Sequence, residues 1–306
     1  MNIINLLNAL PGAVAQGLIW GIMAIGVYIT FRILDIADLT VDGTLCTGGA
    51  VCIMMMQSGQ NVWVALTAAL AAGMLAGMAT GILHTFMGIP AILSGILTQL
   101  GLYSVNLKIM GKANQAINVD KFDLLVSLRY IKGVPFYKNT ILLVAVIIFI
   151  LIAVLYWFFG TELGCSLRAT GCNDKMARAQ GINTDYNRVL GLILSNGLVA
   201  LAGALLGQYQ GFADVNMGRG AIVIGLAAVI IGEAVFGKVF RNFGLKLLAV
   251  AFGSIIYYFV LQIVIWLGID TDLLKLLSAA VVAIFLAIPN WKSKYFSKPV
   301  RNGGRR

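Results

Sequence analysis

Gly160 to Arg188 reads GTELGCSLRATGCNDKMARAQGINTDYNR, the one long polar passage between strongly apolar segments in the second half of the chain. Within it Arg168, Lys175, Arg178 and Arg188 outnumber Glu162, Asp174 and Asp185. Basic residues beside membrane spans stay on the cytoplasmic side, so the passage over 160–188 is expected inside. Asn173 suits an N-cap, Asp174 a first helical turn and Gly181 a stop, so CNDKMARAQG predicts a short helix lying outside the bilayer. A short capped helix between two spans reads as a docking element.

Working outward, the 306 residues are 60% hydrophobic and only 11% charged, with a mean hydropathy of +0.92. So few charges could not cover the surface of a soluble domain of this size. Only helices or closed barrels satisfy their backbone in lipid, and these apolar runs are too long for barrel strands. The expected fold class is therefore an all-α integral membrane protein in the cell membrane, one membrane domain over 1–306. The net charge of +10 is explained by basic residues at membrane-facing ends and in the tail, so anionic lipid is the expected partner and nucleic acid is not. Cys46 and Cys52 lie in an apolar segment, Cys165 and Cys172 in the polar passage, and no CxxC pair suggests a disulfide frame or a zinc site. The N-terminus lacks the basic region of a cleaved signal peptide, so the first span is expected to be retained.

Nine apolar segments are expected: Ala13–Phe31, Val41–Met56, Val62–Met87, Ile89–Met110, Thr140–Phe159, Val189–Tyr209, Ala221–Phe236, Leu245–Leu267 and Leu273–Ile288. With the polar passage inside, parity puts the N-terminus outside and the C-terminus inside. Most of the 22 Lys and Arg then fall on the inner side, as the positive-inside rule requires. The polar stretch over about 111–139 becomes an extracellular loop. The tail over 290–306 combines Trp291, Tyr295 and Phe296 with lysines, the signature of a cytoplasmic membrane anchor.

The second and seventh segments are short, and each follows a similar phrase. Ala37-Asp38-Leu39-Thr40-Val41-Asp42 matches Ala213-Asp214-Val215-Asn216-Met217-Gly218, with Gly49 and Gly225 at the same offset. The two segments lie an odd number of crossings apart, which marks an inverted repeat whose paired short or discontinuous helices place polar N-termini near a transport path. Asp38, Thr40, Asp42, Asp214 and Asn216 are the candidates for lining that path, at segment ends where water is accessible. Glu233, alone within an apolar segment, is expected to pair with Lys238 about a turn away.

Other signals carry less. Gly232 to Val239 mimics a nucleotide-binding loop, but Val239 stands where the magnesium-holding hydroxyl belongs and no strand precedes it, so this chain is not expected to bind ATP. His84 has no suggested nucleophile or metal partner and is read as a packing residue. The stripe Ala68, Ala72, Ala76 and Ala79, with Gly73, Gly77 and Gly81, allows close helix approach, within the subunit or against a second copy.

The run carried by Arg168, Ala169, Gly171, Asn173, Met176, Ala177, Gly181 and Ile182 resembles the cytoplasmic coupling loop of ABC-importer permeases of the branched-chain amino acid and ribose type. It is most similar to the subgroup paired with tryptophan- or other amino-acid-binding lipoproteins, and the likeness covers nearly the whole chain. The resemblance implies a permease subunit that moves a small polar solute, an amino acid, with an aromatic one among the candidates. It further implies a second permease copy, separate cytoplasmic ATPases that hold the ATP and magnesium, and an extracytoplasmic binding lipoprotein. Arg168, Asn173, Asp174, Met176, Ala177, Gly181 and Ile182 would then seat in a groove of the ATPase. The phrase D-L-T-V-D-G is similar to the D-L-S-V-G of sugar-importing members, and the histidine of the branched-chain N-F-A-H-G phrase is absent. The alternative is an ion- or proton-coupled secondary transporter, which would need intramembrane carboxylates such as Glu233.

Overall fold

The computed structural model describes residues 3–267 except 120, 123 and 132–138, and beyond them residues 273, 276, 279–280, 282–284 and 287. The chain folds as helices α1 (Ile3–Tyr28), α2 (Thr40–Gln57), α3 (Val62–Thr85), α4 (Ala91–Met110), α5 (Thr140–Gly160), α6 (Glu162–Cys172), α7 (Asp174–Ala179), α8 (Thr184–Gln210), α9 (Ala221–Phe236) and α10 (Phe243–Trp266). A π turn over Ile29–Ile33 continues α1, and a 3-10 turn spans Leu128–Ile131. Strands β1 (Asn114–Ala116) and β2 (Phe212–Asp214) pair antiparallel, with Asn114 opposite Asp214. Half of the expected ninth segment, Leu273–Ile288, lies outside the described residues, and the basic tail lies wholly outside them.

Asparagine starts many of these helices. Asn61, Asn139, Asn173 and Asn183 each accept a backbone N–H of the first turn with the side-chain oxygen, which satisfies donors that a helix leaves open at its start. Thr161 does the same for α6. The cap at Asn183 corrects the expected start of the sixth span: α8 begins at Thr184, not Val189, because its first turn stands outside the apolar run.

Side-chain contacts sort the connections to two ends of the bundle. At one end Arg32 meets Glu233, and a single cavity is lined by Leu34, His84, Pro90 and Asn173. At the other, Gln57 donates to the Ala116 carbonyl, the Leu125 N–H to Gln208 Oε1, and the Tyr209 hydroxyl to the Gly12 carbonyl. Consequently α2 and α9 run toward opposite ends of the bundle. Five helices among the described residues are long and apolar enough to cross a membrane, namely α1 with its π turn, α3, α5, α8 and α10.

The reason α2 fails that test lies in its position. Thirteen of its 18 residues are buried, because α3, α4, α8, α9 and β2 surround it. A helix that never meets lipid does not need a lipid-facing stripe, so its composition of Gly, Thr and Cys is adapted to protein neighbours. At the crossing of α2 and α8, a Cβ on Gly48 would overlap the Ala200 carbonyl and one on Gly203 would overlap the Leu45 carbonyl. The backbones touch there. Gly73 and Gly77 of α3 lie closely against Asn196 and Leu192 of α8, so the glycines of the small-residue stripe serve packing inside the subunit, while Ala79 is exposed. Lipid gives little drive for helices to associate, and van der Waals contact of this closeness supplies it instead.

Candidate functional site

The polar passage over 160–188 holds two helices and the start of a third, where one short helix was expected. Asn173 ends α6 in an extended conformation and caps α7, its Oδ1 accepting the Met176 N–H at 3.1 Å. Gly181 closes α7 with φ of +80°, a conformation that costs other residues. Asp174 sits between Arg178 at 3.4 Å and Arg188 at 3.2 Å, and Asp185 also meets both arginines. These four charges clamp the six-residue α7 onto the first turns of α8, which a helix so short requires for order.

The side chains of this region divide into two sets. Met176 is 63% exposed, and Tyr186 and Leu163 of the same passage are exposed as well. Ala177, expected to face a partner, is 3% exposed and packs into its own chain. Arg168 also turns inward, donating to the Phe159 carbonyl at 2.6 Å and lying over the Phe243 ring at 5.7 Å. Both corrections have one cause: α6, unforeseen in the sequence, puts Arg168 against the end of α5. Ile182 is half-buried.

A second constellation surrounds the start of α2. Asp38 is 2% exposed, which overturns its expected contact with water. Its Oδ1 accepts the Thr40 N–H at 2.9 Å and its Oδ2 accepts Asn196 Nδ2 at 2.7 Å. Asn196 Oδ1 in turn accepts the Thr44 hydroxyl at 2.8 Å. Thr40 is fully buried, with its hydroxyl 2.7 Å from that of Thr80, which reaches Thr98 at 2.9 Å. This ladder ties α2 to α3, α4 and α8, and it holds the N-terminus of α2 inside the bundle. Thr44, Thr80, Thr98 and Asn196 were not singled out in the sequence, although Asn and Thr in apolar helices were the signal available.

The matched phrases share their local geometry. Asp214 Oδ1 accepts the Asn216 N–H at 2.7 Å, as Asp38 Oδ1 accepts that of Thr40, the same turn in both halves. Asp42, half-buried, accepts the N–H groups of Gly220 and Ile222 at 2.9 and 3.0 Å, so the first turn of α2 caps the start of α9. Asp214 is half-buried and Asn216 exposed. Asp42, Asp214 and Asn216 thus gather near the start of α9, apart from Asp38 and Thr40 on the ladder.

Glu233 corrects another expectation. Its carboxylate takes Arg32 Nε at 2.9 and 3.1 Å, with Nη2 closing a bidentate pair, and Lys238 is not its partner. The π turn at the end of α1 turns Arg32 toward α9. His84 Nδ1 lies 2.8 Å from the Ile89 carbonyl, a local packing contact.

Residues 10–286 match the family described as branched-chain amino acid transport system, permease component. The chain belongs to that family. It is the permease component of an ABC importer, a multi-pass protein of the plasma membrane and a transport subunit of a class that is not enzymatic. Over 284 residues it is 39% identical to the tyrosine transport system permease protein of Clostridioides difficile (strain R20291), across 93% of this chain and 92% of that one. Over 252 residues it is 27% identical to the fructose import permease protein FruF of Bifidobacterium longum (strain NCC 2705), across 81% and 68%. A chain of the structure titled PsaBC from Streptococcus pneumoniae in complex with Fab shares the fold with a TM-score of 0.55 at 15% identity, over 96% of this chain and 99% of that one.

Proposed function

We propose that this permease carries an amino acid, an aromatic one first among the candidates, received from an extracytoplasmic binding lipoprotein. Two identical copies enclose the path, and cytoplasmic ATPases that hold the ATP and magnesium drive it. The permease itself needs no cofactor. Nine segments cross with the N-terminus outside and the C-terminus inside, with residues 111–139 facing outward and 160–188 together with the tail facing inward. The name of the 39% identical relative supports an amino acid, while the 27% identical fructose permease shows that similar chains carry names of other solutes.

The observation that carries the coupling assignment is the exposed Met176 on a helix clamped by ion pairs. A helix of six residues has little stability of its own, so four charges spent on fixing it indicate that its position matters. Asn173, Asp174 and Gly181 set that position, Met176 supplies the contact, and Ile182 supports it. Arg168 and Ala177 act from beneath, by holding α6 and α7 to the bundle.

The test is co-purification of the permease with its ATPase, together with solute-stimulated ATP turnover, for Met176→Asp. Burying a methionine stabilises an interface by about 1.5–3 kcal/mol, so ATPase binding should weaken about tenfold or more while insertion into the membrane is normal. Normal coupling in this variant would remove α7 as the ATPase contact. The secondary-transporter alternative is disfavoured, since Glu233 is already committed to Arg32.

A further inference from the structure

A cavity of about 230 Å³ lies between the start of α2, one face of α4 and the segment joining β2 to α9. Its lining includes Asp42, Gln99, Tyr103, Asn106 and Arg219. Positions 99, 103 and 106 follow helical spacing, so α4 presents them on one face. Although α4 is 20 residues long, it is not among the helices apolar enough to cross a membrane. A polar stripe on a spanning helix is stable only against protein or a water-filled cavity.

Two groups in this lining lack partners. Asn106 is 1% exposed, and its Nδ2 is directed to the Gly43 carbonyl at 3.4 Å while its Oδ1 accepts nothing. A buried acceptor without a donor costs about 1–3 kcal/mol, so Asn106 is a strained polar group in the wall directly behind the cavity. Arg219 has no ion pair or side-chain hydrogen bond among the described residues; only its backbone is engaged, at Asn216. The carboxylate of Asp42 is oriented by the amides at the start of α9. The lining therefore presents a fixed negative charge together with a cation that has no side-chain partner among the described residues.

We propose that this cavity is a solute subsite on the translocation path that takes an α-amino acid as its zwitterion. Arg219 binds the carboxylate and Asp42 receives the ammonium group, with Asn106 backing the wall behind them. Gln99 and Tyr103 face the side chain. A neutral sugar would leave Arg219 without a counter-charge, whereas a zwitterion supplies one and adds an ammonium for Asp42, so the lining favours the amino acid. This deepens the importer assignment above and rests on it.

The test uses the complete importer in proteoliposomes, with its ATPase and binding protein, and labelled L-tyrosine as the probe. Arg219→Gln should lower uptake at subsaturating concentration about tenfold or more, the loss of one charge-assisted contact. Arg219→Lys should restore a large part of it. Asn106→Leu should do similar damage, and because it lies in a packed helix, the exposed Arg219 variants serve as the control for folding. In all variants the ATPase should co-purify as it does with wild type. Tyramine, which lacks the carboxylate, should compete poorly with wild type, and Arg219→Gln should abolish the preference of tyrosine over tyramine. Wild-type uptake and preference in both Arg219→Gln and Asn106→Leu would overturn the subsite while leaving the importer assignment standing. Wild-type protein that imports fructose but no amino acid would overturn the subsite and the amino-acid reading together, again with the importer assignment standing.

Discussion

At the scale of single residues, Asn196 is the centre of the buried polar ladder. It donates to Asp38 and accepts from Thr44, both of which are buried with it. Removing it leaves Asp38 Oδ2 without that donor in a dry bundle, where an orphaned group costs more than a lost contact. Asn196→Leu should therefore lower stability by about 1–3 kcal/mol or more, read as a fall in the thermal transition of the detergent-solubilised protein. Thr98→Val, at the far end of the ladder, should cost less, since Thr80 keeps Thr40 and the Ala76 carbonyl as partners. Equal transitions for wild type and Asn196→Leu would show that the ladder contributes nothing. Asp38 also shows where the sequence stops being informative. Its place before a helix was legible, and so was its turn, but the burial comes from α3 and α8 closing over it, which no local pattern records.

At the scale of elements, spans with apolar runs were legible and the helices defined by protein contact were not. The limits of α2, α3, α4, α5, α9 and α10 came out within a few residues because composition changes sharply where those helices end. Helix α6 was missed, since its polar sequence resembles a loop and its order comes from packing under α5 and α8. Of the candidate coupling residues, Asn173 and Gly181 were placed by cap chemistry, while the inward turn of Arg168 and Ala177 depends on α6. Two consequences belong here. Gly48→Val should prevent α2 and α8 from meeting, because its side chain would occupy the position of the Ala200 carbonyl; the expected result is loss of the monodisperse peak in detergent chromatography. Gly181→Ala should cost about 1 kcal/mol through its left-handed conformation. Solute-stimulated ATP turnover should fall with it while the amount of inserted protein stays constant, and an unchanged turnover would show that the α7–α8 junction tolerates strain.

At the scale of the whole molecule, the two ends of the bundle make the orientation testable with the cysteines already present. Cys165 and Cys172 are exposed at the end that carries α7, whereas Cys46 and Cys52 are buried inside α2. Gln60, exposed in the turn from α2 to α3, marks the opposite end together with Gln57 and the strand pair. If basic residues hold the α7 end in the cytoplasm, a membrane-impermeant maleimide should leave the wild-type protein unlabelled in right-side-out vesicles and modify it in inside-out ones. Gln60→Cys should add labelling in right-side-out vesicles alone. The opposite pattern would invert the molecule, and labelling of both ends from one side would break the assignment of the α7 end and the strand pair to opposite faces of the membrane. Bound ATPase offers a further reading of the same probe, because Cys172 immediately precedes the cap of α7. Its labelling in inside-out vesicles should slow when the ATPase is added back, and Met176→Asp should restore the faster rate if that surface is where the two proteins meet.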